Sequence, residues 1–362
     1  MTRPISYSSV VQRVQRWLDE WEDYPDHDLL LQILQTAMRL QADGAHRLDL
    51  KIINSALKEL RYAAKVFAPY RNQPKVTMFG SARTSPEDPE YRQAAAFARK
   101  IVQRGFMVIT GAGGGIMEAG HVGAGKKKSF GVNINLPFEQ MANRVIRRDS
   151  KLITFKYFFT RKVVFIRETS AVVLFPGGFG TLDEGFETLT LLQTGKSIPM
   201  PVVFVDAPGG SYWKDWEEYV FRRILDRGMI SPHDAHLFKI TSDVDEAVEE
   251  VTNFYRSYHS SRYVAHTLQM RLRHEPDDRA LEEANRRFGD ILVEGRIERE
   301  PEGDPEFADL HVVRLRFNRR DFGRLRQLID FFNAAAPQDP QGRGRPGKER
   351  RRITPAGPES PD

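Results

Sequence analysis

The run Pro176-Gly-Gly-Phe-Gly-Thr-Leu-Asp-Glu184 is the stretch of this chain best suited to chemistry. Gly177, Gly178 and Gly180 let backbone N–H groups come close to an anion, because no Cβ stands in the way. A helix starting near Thr181 would add its partial positive end at the same point, so a phosphate can be held there without a lysine. The run also has a plainer reading. Thr181-Leu-Asp-Glu184 is a capping box, with Thr181 as N-cap and Glu184 at the third helical position. Glu184, Glu187 and Thr190 follow at three-residue steps and share a helix face. Beside a phosphate cradle that face suits a sugar. A carboxylate there can activate water or stabilise an oxocarbenium-like transition state as a glycosidic bond breaks. Upstream, Tyr157-Phe-Phe-Thr-Arg-Lys162 supplies Arg161 and Lys162. The planar fork of Arg161 suits an oxyanion or a bound substrate. A solvated helix face explains those six residues equally well.

Other nucleotide motifs fail on inspection. Gly111-Ala-Gly-Gly-Gly-Ile116 has Ile where the dinucleotide fingerprint wants its last Gly, which disfavours hydride transfer. Gly120-His-Val-Gly-Ala-Gly-Lys-Lys127 nearly spells a P-loop. It ends on Lys127 where a Mg²⁺-binding Ser or Thr is required, and it falls within or after a helix. No pair of histidines has metal-ligand spacing. The chain has no cysteine, which excludes disulfides, thiolate metal sites and a thiol nucleophile.

These residues need a scaffold, and the apolar pattern provides one. Residues 1–72 read as helices. Val10, Val11, Val14, Trp17 and Leu18 form one apolar face, Leu29 to Met38 a second, and Ile52 to Phe67 a third; these are expected to be core or subunit-packing faces. From 73 to 253 short apolar runs alternate with amphipathic helices. The expected strands are 75–79, 106–110, 130–134, 171–175 and 201–205, with Pro89 to Arg104 a helix closed by Gly105. That alternation predicts an α/β class: a Rossmann-like, doubly wound parallel sheet with helices on both faces. Three strand ends carry glycine, at Gly80, at Gly111 to Gly115 and at Gly177 to Gly180. Ligands in such sheets bind beyond the carboxyl ends of the strands. Residues 254–337 read as a small α/β appendage, with a helix at 280–288, alternating strands at 291–297 and 310–317, and a closing helix at 320–332.

Residues 338–362 are expected to be a disordered basic tail. Of the net charge of +5, residues 341–362 contribute +3, from six basic and three acidic side chains, so the folded part is near neutral. That balance argues against a dedicated nucleic-acid binder. Neither a secretory signal nor a membrane span is legible, and a cytoplasmic location is the expectation.

Taken together, these motifs resemble the Lonely Guy family of cytokinin riboside 5′-monophosphate phosphoribohydrolases, in a superfamily with nucleotide 5′-monophosphate nucleosidases whose members often carry the label "lysine decarboxylase-like". The family signature P-G-G-x-G-T-x-x-E is matched by Pro176 to Glu184, and M-x-x-R-K by Phe158-Phe-Thr-Arg-Lys162, with Phe158 in place of Met. The resemblance covers roughly 75–251 and includes Phe79-Gly-Ser81 and Gly113-Gly-Gly-Ile-Met117. It implies Arg161 and Glu184 as the catalytic pair. It further implies substrate contacts at Gly80, Ser81, Gly114, Gly115, Met117, Lys162, Gly177, Gly178, Phe179, Gly180, Thr181 and Thr190, with Glu139 in a loop closing over the ligand. The implied reaction converts a nucleoside 5′-monophosphate such as AMP to free base and ribose 5-phosphate, with no metal or organic cofactor, in a homodimer or higher oligomer. The front helices and the appendage look like those of longer bacterial relatives. A non-catalytic nucleotide sensor or carrier on the same fold is the alternative. A decarboxylase fits worst, because no lysine suited to a Schiff base follows the phosphate loop.

Overall fold

The computed structural model describes residues 12, 16, 26–136, 141–301, 303 and 307–337. The expected first helix around Val10 to Leu18, the loop residue Glu139 and the basic tail lie outside the described residues.

The chain divides into two compact units, residues 1–61 and 62–362. In the first, the expected helices are present as α1 (His27–Ala42) and the greater part of α2 (Arg47–Phe67). Their apolar faces do not form a core there. Leu29 and Ile33 on α1, and Leu50, Ile53 and Leu57 on α2, stay exposed.

The second unit is built on a seven-stranded sheet. Its strands are β1 (Lys75–Phe79), β2 (Met107–Thr110), β3 (Ser129–Ile134), β4 (Leu152–Phe155), β5 (Ala171–Leu174), β6 (Val202–Val205) and β7 (Lys239–Thr241). They run in the order β4-β3-β2-β1-β5-β6-β7, and every neighbouring pair is parallel. This is the Rossmann-like α/β fold, with a second, smaller sheet following it. Between the strands run α3 (Pro89–Gln103), α4 (Ile116–Ala124), α5 (Phe158–Glu168), α6 (Phe179–Gln193), α7 (Tyr212–Val220) and α8 (Val244–Asn253). Helix α3 starts on Pro89 at its first turn, where a missing N–H costs nothing. It stops before Gly105, whose φ of +89° suits glycine. Strands β1, β2, β5 and β6 are buried at every position, as expected of strands covered on both faces.

The strand order reverses between β1 and β5. Sheets of this kind open a ligand crevice at such a point, and both flanking strands end there in glycine loops.

The smaller sheet is antiparallel, in the order β10-β11-β9-β8. It comprises β8 (Tyr258–Val264), β9 (Thr267–Leu272), β10 (Glu298–Arg299) and β11 (His311–Leu315), with α9 (Asp278–Phe288) and α10 (Phe322–Ala335). One apolar cluster runs from Val76 and Val173 through Val251 and Phe254 to Met270, Leu315 and Phe332. Two sequence expectations fail here. The strand at 291–297 is not formed: Leu292 makes a single bridge to Phe317, and Gly295 turns the chain at a φ of +74°. The hairpin β8–β9 was not anticipated, because its turn uses Ala265 at a φ of +51° in place of glycine. No helix among the described residues is long and apolar enough to cross a membrane.

Candidate active site

Three glycine loops meet at the carboxyl edge of β2, β1 and β5, and hydrogen bonds tie them together. The Ile116 amide donates to the Ser81 carbonyl at 3.0 Å, and the Ser81 amide to the Pro176 carbonyl at 3.0 Å. The glycines divide by role. A Cβ on Gly80 would strike Ile116, one on Gly115 the Ser81 carbonyl, and one on Gly177 both Thr181 and the Ser81 amide. These three let the loops touch. Gly178 and Gly180 have nothing within 4 Å of a would-be Cβ, and both are exposed. Gly114 sits in looser contact with Ala82, and Met117 packs over Gly111.

Helix α6 starts earlier than expected. Its first residue is Phe179 and its N-cap is Gly178, which has no capping side chain. Thr181 is therefore a helical residue, its amide bonded to the Gly178 carbonyl at 3.0 Å. The expected capping box at Thr181 and Glu184 is not formed, because glycine at 178 lets the helix begin three residues sooner. The amides of Phe179 and Gly180 donate to no described residue. They form an open helix N-terminus, with Phe179 itself 92% exposed. From α7, the Tyr212 hydroxyl donates to the Gly177 carbonyl at 2.6 Å. Tyr212 lies outside every motif read from the sequence, and no local signal pointed to it.

Glu184 sits one and a half turns into α6 and is 3% exposed. Arg161, on α5, places Nη2 at 3.6 Å from Glu184 Oε1. The pair is loose. Arg161 Nε and Glu184 Oε2 are both buried with no hydrogen-bond partner. Burial pushes the Glu184 carboxyl up to about 7, against the pull of Lys162 and Arg161. Burial likewise lowers the Arg161 guanidinium, against Glu184 and Asp183. Arg161 lies over the rings of Phe158 and Phe165, so Phe158 forms one wall of the guanidinium's seat. Lys162 reaches Asp183 at 2.8 Å and Glu187 at 2.7 Å. Neither cation is on a solvated face. Thr190 is exposed, six residues or about 9 Å further along α6; it is not brought to the Arg161–Glu184 pair. Among the described residues no group of three or more His, Asp and Glu side chains is placed to hold a metal ion.

Residues 114–251 match the family model described as "Possible lysine decarboxylase". This segment is similar to that family. The match spans Gly114, the Arg161–Glu184 pair and Tyr212, and it ends within α8. No curated protein sequence matches the chain significantly. Among solved structures, one described as TM1055 is 21% identical over 49% of this chain and 96% of its own, with a TM-score of 0.36. The molybdenum cofactor carrier protein from Chlamydomonas reinhardtii is 20% identical over 49% and 94%, with a TM-score of 0.35. DNA processing protein A from Helicobacter pylori is 14% identical over 51% and 81%, with a TM-score of 0.34. Similarity at this level says nothing of ligand or activity.

The family's label raises the question of pyridoxal phosphate, and the residues do not fit it. A Schiff-base lysine has to be readily deprotonated. Lys162 is the lysine at the site, and burial works to lower it, but its hydrogen bonds to Asp183 and Glu187 prevail and hold it above its ordinary value.

Proposed function

We propose that the site hydrolyses the N-glycosidic bond of nucleoside 5′-monophosphates to free base and ribose 5-phosphate. The observation that carries this reading is the buried Arg161–Glu184 pair, with an unsatisfied atom on each side chain, beside an open helix N-terminus. A structural ion pair saturates its partners. This one keeps an acceptor and a donor in reserve for a ligand. The phosphate sits on the Phe179 and Gly180 amides, and Arg161 orients the substrate. Glu184 takes a proton from water as the water oxygen bonds to C1′. The C1′–N bond breaks toward the base, which leaves with the electron pair and takes up the proton that Glu184 received, so the carboxylate is restored.

Incubation with a panel of nucleoside monophosphates in the presence of chelator tests the proposal. Free base and ribose 5-phosphate are the expected products, at a rate chelator leaves unchanged. Tight binding without turnover would replace the hydrolase with a nucleotide carrier or sensor.

The raised Glu184 value sets a pH profile. The group must be ionised to accept a proton, so kcat/KM for AMP should fall below about pH 7, tenfold per unit. A profile flat down to pH 5 would remove Glu184 from the base's role.

An oligomer completes the proposal. Phe158, Phe159 and Val163 on the Arg161 helix are each about half exposed, and apolar side chains clustered on one helix favour burial against a partner. Light scattering should give a mass of two or more chains of 41.5 kDa. A monomer at micromolar concentration would refute this part.

A further inference from the structure

The stretch Gly120 to Lys127 is no P-loop, yet it carries a buried histidine. His121, on α4, is fully buried. Its Nε2 lies 3.0 Å from the Phe130 carbonyl and 3.0 Å from Thr110 Oγ1. A carbonyl only accepts, so Nε2 carries the proton. In the neutral ring Nδ1 is then an acceptor. Facing it are Asn143 Nδ2 at 3.0 Å and Oδ1 at 3.3 Å, and only the nitrogen can donate to an unprotonated Nδ1. Asn143 cannot be turned over without loss, since its Nδ2 also faces the carbonyls of Ala112 at 3.1 Å and Gly113 at 2.9 Å, its two hydrogens being shared among these three acceptors. Its Oδ1 accepts the Val145 amide at 3.2 Å. Burial lowers the His121 value below that of a free imidazole, which keeps Nδ1 an acceptor.

This ring of hydrogen bonds grips the loop between β2 and α4. Ala112 stands at a φ of +64°, a strained setting for a residue with a Cβ. Both its backbone groups are tied. The amide donates to Thr110 Oγ1 at 3.0 Å, and the carbonyl accepts from the Asn143 amide at 2.8 Å. Beyond it, the amides of Gly113, Gly114 and Gly115 donate to no described residue. Gly113 and Gly115 are nevertheless buried. Buried N–H groups in a row call for an acceptor. They lie at the carboxyl end of β2, in the loop that Ile116 ties to Ser81 and Ser81 ties to Pro176.

We propose that His121 and Asn143 are positioning residues that lock the Ala112–Gly115 loop, so that its free amides form a second donor cradle for the nucleotide's oxygen atoms. The inference rests on the nucleotide reading of the site. Neither side chain touches the substrate in it. They act through the loop's backbone and set ground-state affinity, and the chemical step at Glu184 is left alone.

Two substitutions at one position separate this role from plain packing. Asn presents a side-chain oxygen near where Nδ1 stands, so His121→Asn keeps the acceptor for Asn143. Gln reaches further, so His121→Gln keeps a donor for Phe130 but loses that acceptor. With the full chain, AMP affinity is measured by calorimetry, and KM and kcat by base release. His121→Gln and Asn143→Ala should weaken AMP binding and raise KM about tenfold, the effect of one buried polar group left unpaired, with kcat nearly unchanged. His121→Asn should bind within about threefold of the parent on the same reasoning. Hydrogen exchange at 113–116 in the free protein should speed up in the first two variants and not in the third. Equal weakening by His121→Asn and His121→Gln, or parental affinity in Asn143→Ala, would overturn the inference while nucleotide binding by the parent stands. A parent that binds no nucleotide would overturn the functional proposal itself, and the cradle with it.

Discussion

Glu184→Gln should lower AMP turnover by roughly 10²–10⁴-fold, the usual worth of a positioned acid–base group, while nucleotide binding persists. The substitution keeps size and shape and removes charge and basicity. It is a cleaner test than the sequence suggested. Thr181 is not an N-cap and Glu184 is not part of a capping box, so no cap is lost with the carboxylate. Linkage adds a second readout. The folded value, about 7, lies above the ordinary value of 4.5, so the folded chain holds a proton that the unfolded chain releases. Stability from this group is present below 4.5 and is lost as pH rises through about 7. The Gln variant lacks that loss. Its Tm minus the parent's should therefore grow more positive between pH 5 and pH 8. Parental turnover in Glu184→Gln would reduce Glu184 to a buried structural residue.

What could be read in advance follows from how each feature is encoded. Strands β1, β2, β3, β5 and β6 are short apolar runs, several of them followed by glycine, a local pattern that survives without knowledge of the neighbours. The edge strands β4 and β7 have four and three residues, too short for a period to show. The hairpin β8–β9 carries the polar run Ser260, Ser261 and Arg262, all only partly buried, and no turn glycine, so neither apolar run nor turn signal marks it. At the site, the glycine loop and the Arg161-Lys162 pair stood out because they are contiguous motifs. The true helix start did not, because Thr-x-x-Glu fits a capping box as well as it fits a helix interior. Tyr212 and the His121–Asn143 pair were invisible for another reason. Each acts on a loop that the fold, and not the local sequence, brings to it, 35 residues away for Tyr212 and Gly177.

The phosphate requirement carries the second large effect. AMP should exceed adenosine in kcat/KM by about 10³-fold. Two amides donating to a charged oxyanion contribute about 1.5–3 kcal/mol each, and the helix end adds roughly 0.3–1 kcal/mol. The low end of that sum, about 3.3 kcal/mol, is already more than two powers of ten and the high end about five, so 10³ lies within the range. Gly180→Ala separates this cradle from the general shape of the site. A Cβ at 180 meets no protein atom within 4 Å, and alanine in place of glycine favours a helix by about 1 kcal/mol. The variant should therefore melt no lower than the parent. The new methyl would nevertheless stand at the open helix end where the phosphate approaches. AMP should lose most of its advantage, by a factor of about 10 or more for each lost charged hydrogen bond, and the slow cleavage of adenosine should hardly change. Glycine at this position is thus a choice against helix stability, which a phosphate site explains and a purely structural turn does not. If AMP and adenosine react at equal rates, or if Gly180→Ala cleaves AMP as the parent does, the helix N-terminus at Phe179 and Gly180 holds no phosphate.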